Sequence, residues 1–137
     1  MADVQMMKVK NRILSSTKRH DSLRAVLIDH KLAALGDAYV NFAYSLALSN
    51  RRGSPSGAKV KGNLLAEGLK RAGLRRYVPS GVTSHMLADA AEALIVYAWL
   101  CDCIALDETV ALLERSDDLA EGFRQLLERI TDRIRLS

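Results

Sequence analysis

Apolar positions recur at steps of three and four along almost the whole chain, the spacing that lays one side of a helix against a core. The rest is organised around 32–50, LAALGDAYVNFAYSLALSN, where Leu32, Leu35, Tyr39, Phe42 and Leu46 form such a series and Asp37 is the one charge. Gly36 weakens a helix by roughly 1 kcal/mol relative to alanine, so its place in the run predicts a close approach by another backbone. A second run, 86–101, MLADAAEALIVYAWLC, has Asp89 and Glu92 as its only charges. It predicts a long helix over 85–102, capped by Thr83 or Ser84, with Asp89 and Glu92 three apart on one face.

Five further helices follow from the same reading. Val4, Met7, Ile13 and Leu14 mark one that ends near 15–17, and Asp21 or Ser22 caps another carrying Leu23, Val26 and Leu27. The Gly, Pro and Ser of 50–57 demand a loop. A helix then starts at Ala58 or Asn63 and runs to Ala72, with Leu64, Leu65 and Leu69 inward. Residues 77–81 form a turn, and Asp107 caps a short helix through Leu113. Ser116 or Asp118 opens the last, over 119–136, with Phe123, Leu126, Leu127, Ile130 and Ile134 as its buried stripe. No alternating strand pattern or internal repeat competes, so the expected architecture is all-α, a single domain over 1–137.

Composition narrows the class. No apolar run is long and charge-free enough to span a bilayer, and the N-terminus lacks the basic start and apolar core of a signal peptide, so a cytoplasmic, soluble protein without membrane contact is expected. Cys101 and Cys103 have no histidine partners at zinc-ligand spacing and are expected to be buried and reduced. The net charge of +4 conceals a segregation: 51–76 holds eight basic residues against one acid, Glu67, whereas acids outnumber Lys and Arg about two to one from Tyr77 onward. The basic segment is either a solvated face or a surface for a polyanion.

An ionised carboxylate left unpaired in apolar surroundings costs on the order of several kcal/mol. Asp37, Asp89 and Glu92 are therefore expected to meet. Oxygen ligands of this kind suit Mg²⁺; equally, acids at this common helical spacing pair with Lys or Arg. Tyr39, Phe42, Tyr44 and Trp99 are read as core or dimer contacts, His85 as a polar residue at a helix start, and Glu67 as a partner of Lys70 or Arg71.

Three colinear motifs carry a family resemblance. Leu35-Gly36-Asp37-Ala38 resembles the Leu-Gly-Asp-Ala or Leu-Gly-Asp-Ser signature of the ribonuclease III catalytic domain. The segment Val60-Lys61-Gly62-Asn63-Leu64-Leu65-Ala66-Glu67 is similar to that family's Val-Arg-Gly-Asn-Thr-Leu-Ala-Glu, and Leu87 to Ile95 resembles its Leu-Ala-Asp-x-x-Glu-Ala-Leu-Ile. The likeness covers about 31–113 and fades over the first thirty residues. It implies a helical, homodimeric endoribonuclease that cuts double-stranded or structured RNA with Mg²⁺, Mn²⁺ being a possible substitute. Asp37, Asp89 and Glu92 then take the positions of metal ligands, Asp37 and Glu92 are the catalytic pair, and Arg51, Arg52, Lys59 and Lys61 hold phosphates.

Two departures qualify this. The family's usual Glu four residues before the signature Asp is Ala33 here, and its usual Glu-Gly in the following loop is Arg52-Gly53. The mini-ribonuclease III branch, similar to this chain in size, shares the first departure and lacks a separate double-stranded-RNA-binding domain; the length after Leu113 predicts none here either. The alternative implied is a catalytically inactive ribonuclease III-like module for RNA binding or assembly.

Overall fold

The computed structural model describes residues 2–17 and 20–136. Seven α-helices follow one another: α1 Ala2–Ser16, α2 Leu23–Leu27, α3 His30–Arg52, α4 Gly62–Arg71, α5 Ser84–Leu100, α6 Leu106–Glu114 and α7 Leu119–Arg133, with a 3₁₀ turn, Arg75–Tyr77, between α4 and α5. No strand occurs among the described residues, and none of their helices is long and apolar enough to cross a membrane.

Side chains fix most helix starts. Ser22 Oγ accepts from the Ala25 N–H, Thr83 Oγ1 from that of Met86, and the Asp118 carboxylate from that of Glu121, so each open choice of cap is decided. Asp29 caps α3 twice over, accepting from Lys31 N at 2.9 Å and Leu32 N at 3.0 Å. Asp107 is not a cap: Ala105 holds that position, and Asp107 lies inside the first turn. The Glu108 carboxylate takes the Ala105 N–H at 3.2 Å, so no polar side chain is needed at the cap itself.

At the centre stands α5, apolar on nearly all sides, against which α1, α2, α3, α4 and α7 pack; α4 also lies on α7, and α3 on α6. The pairing of α3 with α5 is the most extensive. A Cβ added at Gly36 would stand 2.1 Å from the Glu92 carbonyl oxygen, so this contact is open to glycine alone. Gly68 does the same for α4 and α7, where an added Cβ would come within 2.6 Å of Phe123 Cβ.

That closeness corrects the predicted buried stripe of α3. The side facing the core is Leu32, Ala33, Gly36, Tyr39, Val40, Ala43 and Ala47. Leu35 and Phe42 are exposed, at 37% and 55%, and Leu46 is only half-buried. Close to Gly36 the two helix backbones nearly touch, and the large Leu35 and Phe42 lie on the flank while Ala33, Ala43 and Ala47 join Leu32, Tyr39 and Val40 on the inward side.

The C-terminal end of α5 also departs from expectation. The helix stops at Leu100, and Asp102 adopts a left-handed conformation, φ 61°. Cys103 N–H donates to Ala98 O at 2.8 Å and Asp102 N–H to Trp99 O at 3.1 Å, the paired bonds of a reverse turn that closes a helix. Cys101 is thereby turned out to solvent and Cys103 is half-buried, both free, rather than buried as expected. Lys10 clamps this turn, with Nζ 2.6 Å from Asp102 Oδ1 and 4.5 Å from the centre of the Trp99 ring. The rest of α1 is loosely held: Val4 and Met7 are exposed, and only Lys10 and the half-buried Ile13 and Leu14 turn inward. The last helix ends at Arg133, three residues early, and Ile134 continues in extended backbone, packed against the core from outside the helix.

The α3–α5 contact yields a direct test. Gly36→Ala is expected to lower stability by about 3 kcal/mol, the upper range for forcing extra volume into a packed contact, read as a drop in the urea midpoint with unchanged slope.

Candidate functional site

One side of α3 carries polar residues at four-residue steps: Asp37, Asn41, Ser45 and Ser49. Each of the last three binds the loop that returns beneath them. Ser49 Oγ accepts from Ser56 N at 2.8 Å, Ser45 Oγ accepts from Ala58 N at 3.0 Å, and Asn41 Oδ1 accepts from Val60 N at 2.8 Å. The amide of Asn41 donates back to Asp37 Oδ1 at 3.1 Å. The loop is thus stitched along the helix toward Asp37, bringing Lys59 to the acids. Sequence reasoning missed Asn41, Ser45 and Ser49; the signal was a polar side chain every fourth residue on an otherwise apolar helix.

Across from this stripe, α5 supplies Glu92 and Asp89. Glu92 is 6% exposed, and its backbone is the group pressed against Gly36. Its carboxyl is pushed up from 4.5 to about 8, first by burial, then by a hydrogen bond with Asp37 and by the negative charges of Asp37 and Asp89. Lys59 opposes the shift, but only as a charge at a distance. Among the described residues, no cationic side chain lies within ion-pair distance of Asp37 or Glu92. Asp89 is half-buried, with His85 Nε2 at 3.8 Å on the solvent side.

The sequence-predicted residues therefore divide. Asp37 and Glu92 meet, Asp89 acts on them through its charge, and Lys59 faces them. Lys61 is exposed one residue before α4. Arg51 and Arg52 end α3, roughly 21 Å from Asp37 at 1.5 Å per residue. There Arg51 leans on Ser116 O and Asp117, and Arg52 reaches Ser56 Oγ at 3.5 Å. Glu67 pairs with Arg71 at 3.2 Å, outside the site. Tyr39 stacks at 5.1 Å on Trp99, a core contact.

The donor set is oxygen only, the kind a hard divalent cation takes. Burial first, and then Asp37 and Asp89, favour the protonated form of Glu92, and a divalent ion would offset both. No group of three His, Cys, Asp or Glu side chains among the described residues is already gathered tightly enough to enclose a metal. Asp37 and Glu92 are the two of these acids in hydrogen-bond contact.

The residue pattern of the family described as Ribonuclease III matches 30–135, beginning where α3 begins and ending past α7. The chain belongs to the ribonuclease III family. A search of curated proteins finds no match to it.

A carboxyl whose pKa is raised on folding contributes stability in its protonated form, intact below about pH 4.5 and lost as the pH rises through about 8. In EDTA the unfolding midpoint is therefore expected to fall between those limits, and Glu92→Gln, which cannot ionise, is expected to remove most of that fall. Thermal melts of both proteins across the range provide the check.

Proposed function

We propose that this chain is an endoribonuclease that hydrolyses phosphodiester bonds of double-stranded or structured RNA, with Mg²⁺, or Mn²⁺ in its place, held by Asp37, Asp89 and Glu92. The observation that carries the reading is Glu92, a buried carboxylate with Asp37 and Asp89 beside it and no ion-paired cation among the described residues, so that burial first and the neighbouring acids second push its pKa up. Such an arrangement is costly in a fold that needs it only for packing, where an apolar residue of similar volume is often neutral or stabilising. The cation, when bound, supplies the Lewis acidity that polarises a phosphate and a water nucleophile.

The chain's own groups do the remainder. Glu92, with Asp37 and Asp89, would hold the cation through carboxylate oxygens, its proton passing to solvent. Asn41 holds Asp37 in orientation, and Lys59 offers a positive charge to the phosphate on the same side. Lys61, Arg51 and Arg52 meet further phosphates without reading bases, so binding weakens steeply with salt.

The same reading includes a homodimer. Ala34, Leu35, Ala38 and Phe42 form a solvent-facing strip on α3 that is apolar and unpartnered within the chain, a patch suited to a second copy. Ala33 and Arg52, in place of the family's usual acids, favour the second reading, a ribonuclease III-like module that binds RNA without cutting it.

Cleavage of a labelled RNA duplex separates the two. Wild type is expected to cut with Mg²⁺ and not with Ca²⁺ or EDTA, while Glu92→Gln and Asp37→Asn, both folded, lose at least about a hundredfold in rate. Salt-dependent binding by wild type with no cutting under any of these conditions would establish the binding module instead. For the dimer, Phe42→Glu is expected to shift sedimentation from dimer to monomer while leaving the helical circular dichroism intact.

A further inference from the structure

A cleft of about 240 Å³ opens beside the acids, between the start of α3, the loop before α5 and the first turns of α5. Its walls are Leu27, Ala33, Val78, Val82 and Met86, with Ile28 at the rim, and Asp89 closes the end nearest the site. Ala33 matters here because a longer acidic side chain at that position would place its carboxylate in this space. The family's usual acid and an apolar cleft exclude one another, and this chain has the cleft.

We propose that the cleft receives one unpaired nucleobase adjacent to the phosphate that is cut, so that the favoured substrate is an RNA helix interrupted by a bulged nucleotide. The inference rests on the RNA-cleaving reading above.

Asp89 belongs both to the cleft and to the acidic group, so a phosphate held at Asp37 and Glu92 puts its neighbouring nucleoside at the cleft mouth. The space is of the order of a single planar heterocycle, and its apolar walls suit a base face. A paired base must first break its pairing to enter, whereas a bulged one has no pairing to break and costs less to extrude. Asp89, half-buried at the end wall, is an acceptor for an exocyclic amino group; Asp29, also lining the cleft, is occupied in capping α3. A second copy of the chain has its own surface: Ala33 and Asp37, four apart, lie on one side of α3, and Leu35 and Phe42, seven apart, on the other.

The test uses the full chain in Ca²⁺ with two RNA hairpins, one carrying a single bulged 2-aminopurine and one carrying it paired in the stem. Dye anisotropy reports binding, and 2-aminopurine emission reports the surroundings of the base. Wild type is expected to bind the bulged hairpin about tenfold more tightly and to change its emission. Val82→Trp, which fills the cleft, is expected to bind the paired hairpin as wild type does and to lose both the preference and the emission change. Ile28→Trp, at the exposed rim, makes the same test if the first variant fails to fold. The proposal is overturned if wild type shows no preference, or if the preference survives in a folded cleft-filling variant. It is equally overturned if filling the cleft dissociates a dimer, since the cleft then belongs to a second copy. Binding of both hairpins without preference sinks this inference alone; binding of neither sinks the RNA reading with it.

Discussion

The contact between Gly36 and the backbone of Glu92 is the constraint on which the rest depends. Helix axes commonly pack 8–10 Å apart with side chains between them; here one backbone rests on the other, and an added methyl would overlap the Glu92 carbonyl oxygen at 2.1 Å. Small residues, Ala33, Ala43 and Ala47, recur on the inward side of α3 beside Leu32, Tyr39 and Val40. Glu92 is buried because its own helix is held there, and Asp37, one residue after the glycine, is brought to it by the same approach. Fold and site are therefore one packing event, and the motif Leu35-Gly36-Asp37-Ala38 records both: the glycine makes the contact and the aspartate uses it.

A second set of bonds adjusts this frame. The loop after α3 has few apolar side chains with which to anchor itself, and its backbone groups need partners. Ser49, Ser45 and Asn41 supply them in order, and the last of the three also grips Asp37. The basic residues then separate by where this stitching leads. Lys59 is delivered to the acids, while Arg51, at the far end of the same helix, is turned to the loop between α6 and α7. The basic cluster of the sequence is thus dispersed: Lys59 goes to the acids, Arg51 and Arg52 to the far end of α3, and Lys70, Arg71, Arg75 and Arg76 to the end of α4 and the turn after it.

Much of this was legible from periodicity. Seven helices among the described residues and the loop after α3 follow from spacing; Asp37 and Glu92 do meet, but Glu92 alone is buried and Asp37 is exposed, so the cost of burying charge applies to one of the pair. What misled was size: Leu35 and Phe42 fit a three-four pattern as well as the true inward face does, and a pattern of large apolar residues outranks one of alanines when only hydrophobicity is weighed. Gly36 pointed the other way, since a close approach admits only small neighbours, but the consequence for Leu35 and Phe42 requires knowing which side α5 lies on. The ends of α5 and α6 were misplaced for a related reason. Asp102 takes a backbone conformation usual for glycine and is held there by Lys10, more than ninety residues away in sequence, a partner no local pattern reveals. Asp107 has the chemistry of a cap, but Glu108 two residues past the helix start already satisfies the exposed donor.

On the proposed reading, the departure from the usual acid set at Ala33 acquires a physical sense. The Glu92 carboxyl is already pushed up to about 8, by burial first and then by Asp37 and Asp89, with Lys59 opposing. A further carboxylate at Ala33 would add negative charge to a centre whose one nearby compensation is Lys59, whereas position 52, at the far end of α3, lies too distant to do so. Three carboxylates, all ionised around a divalent ion, already exceed its charge by one, with Lys59 the nearby basic residue. A site of this composition needs neither extra acid for neutrality, and at Ala33 the space a carboxylate would have taken is left as an apolar cleft beside Asp89. The same substitution that removes a ligand thus changes what the surroundings of the site can recognise, from charge alone to charge together with the face of a base.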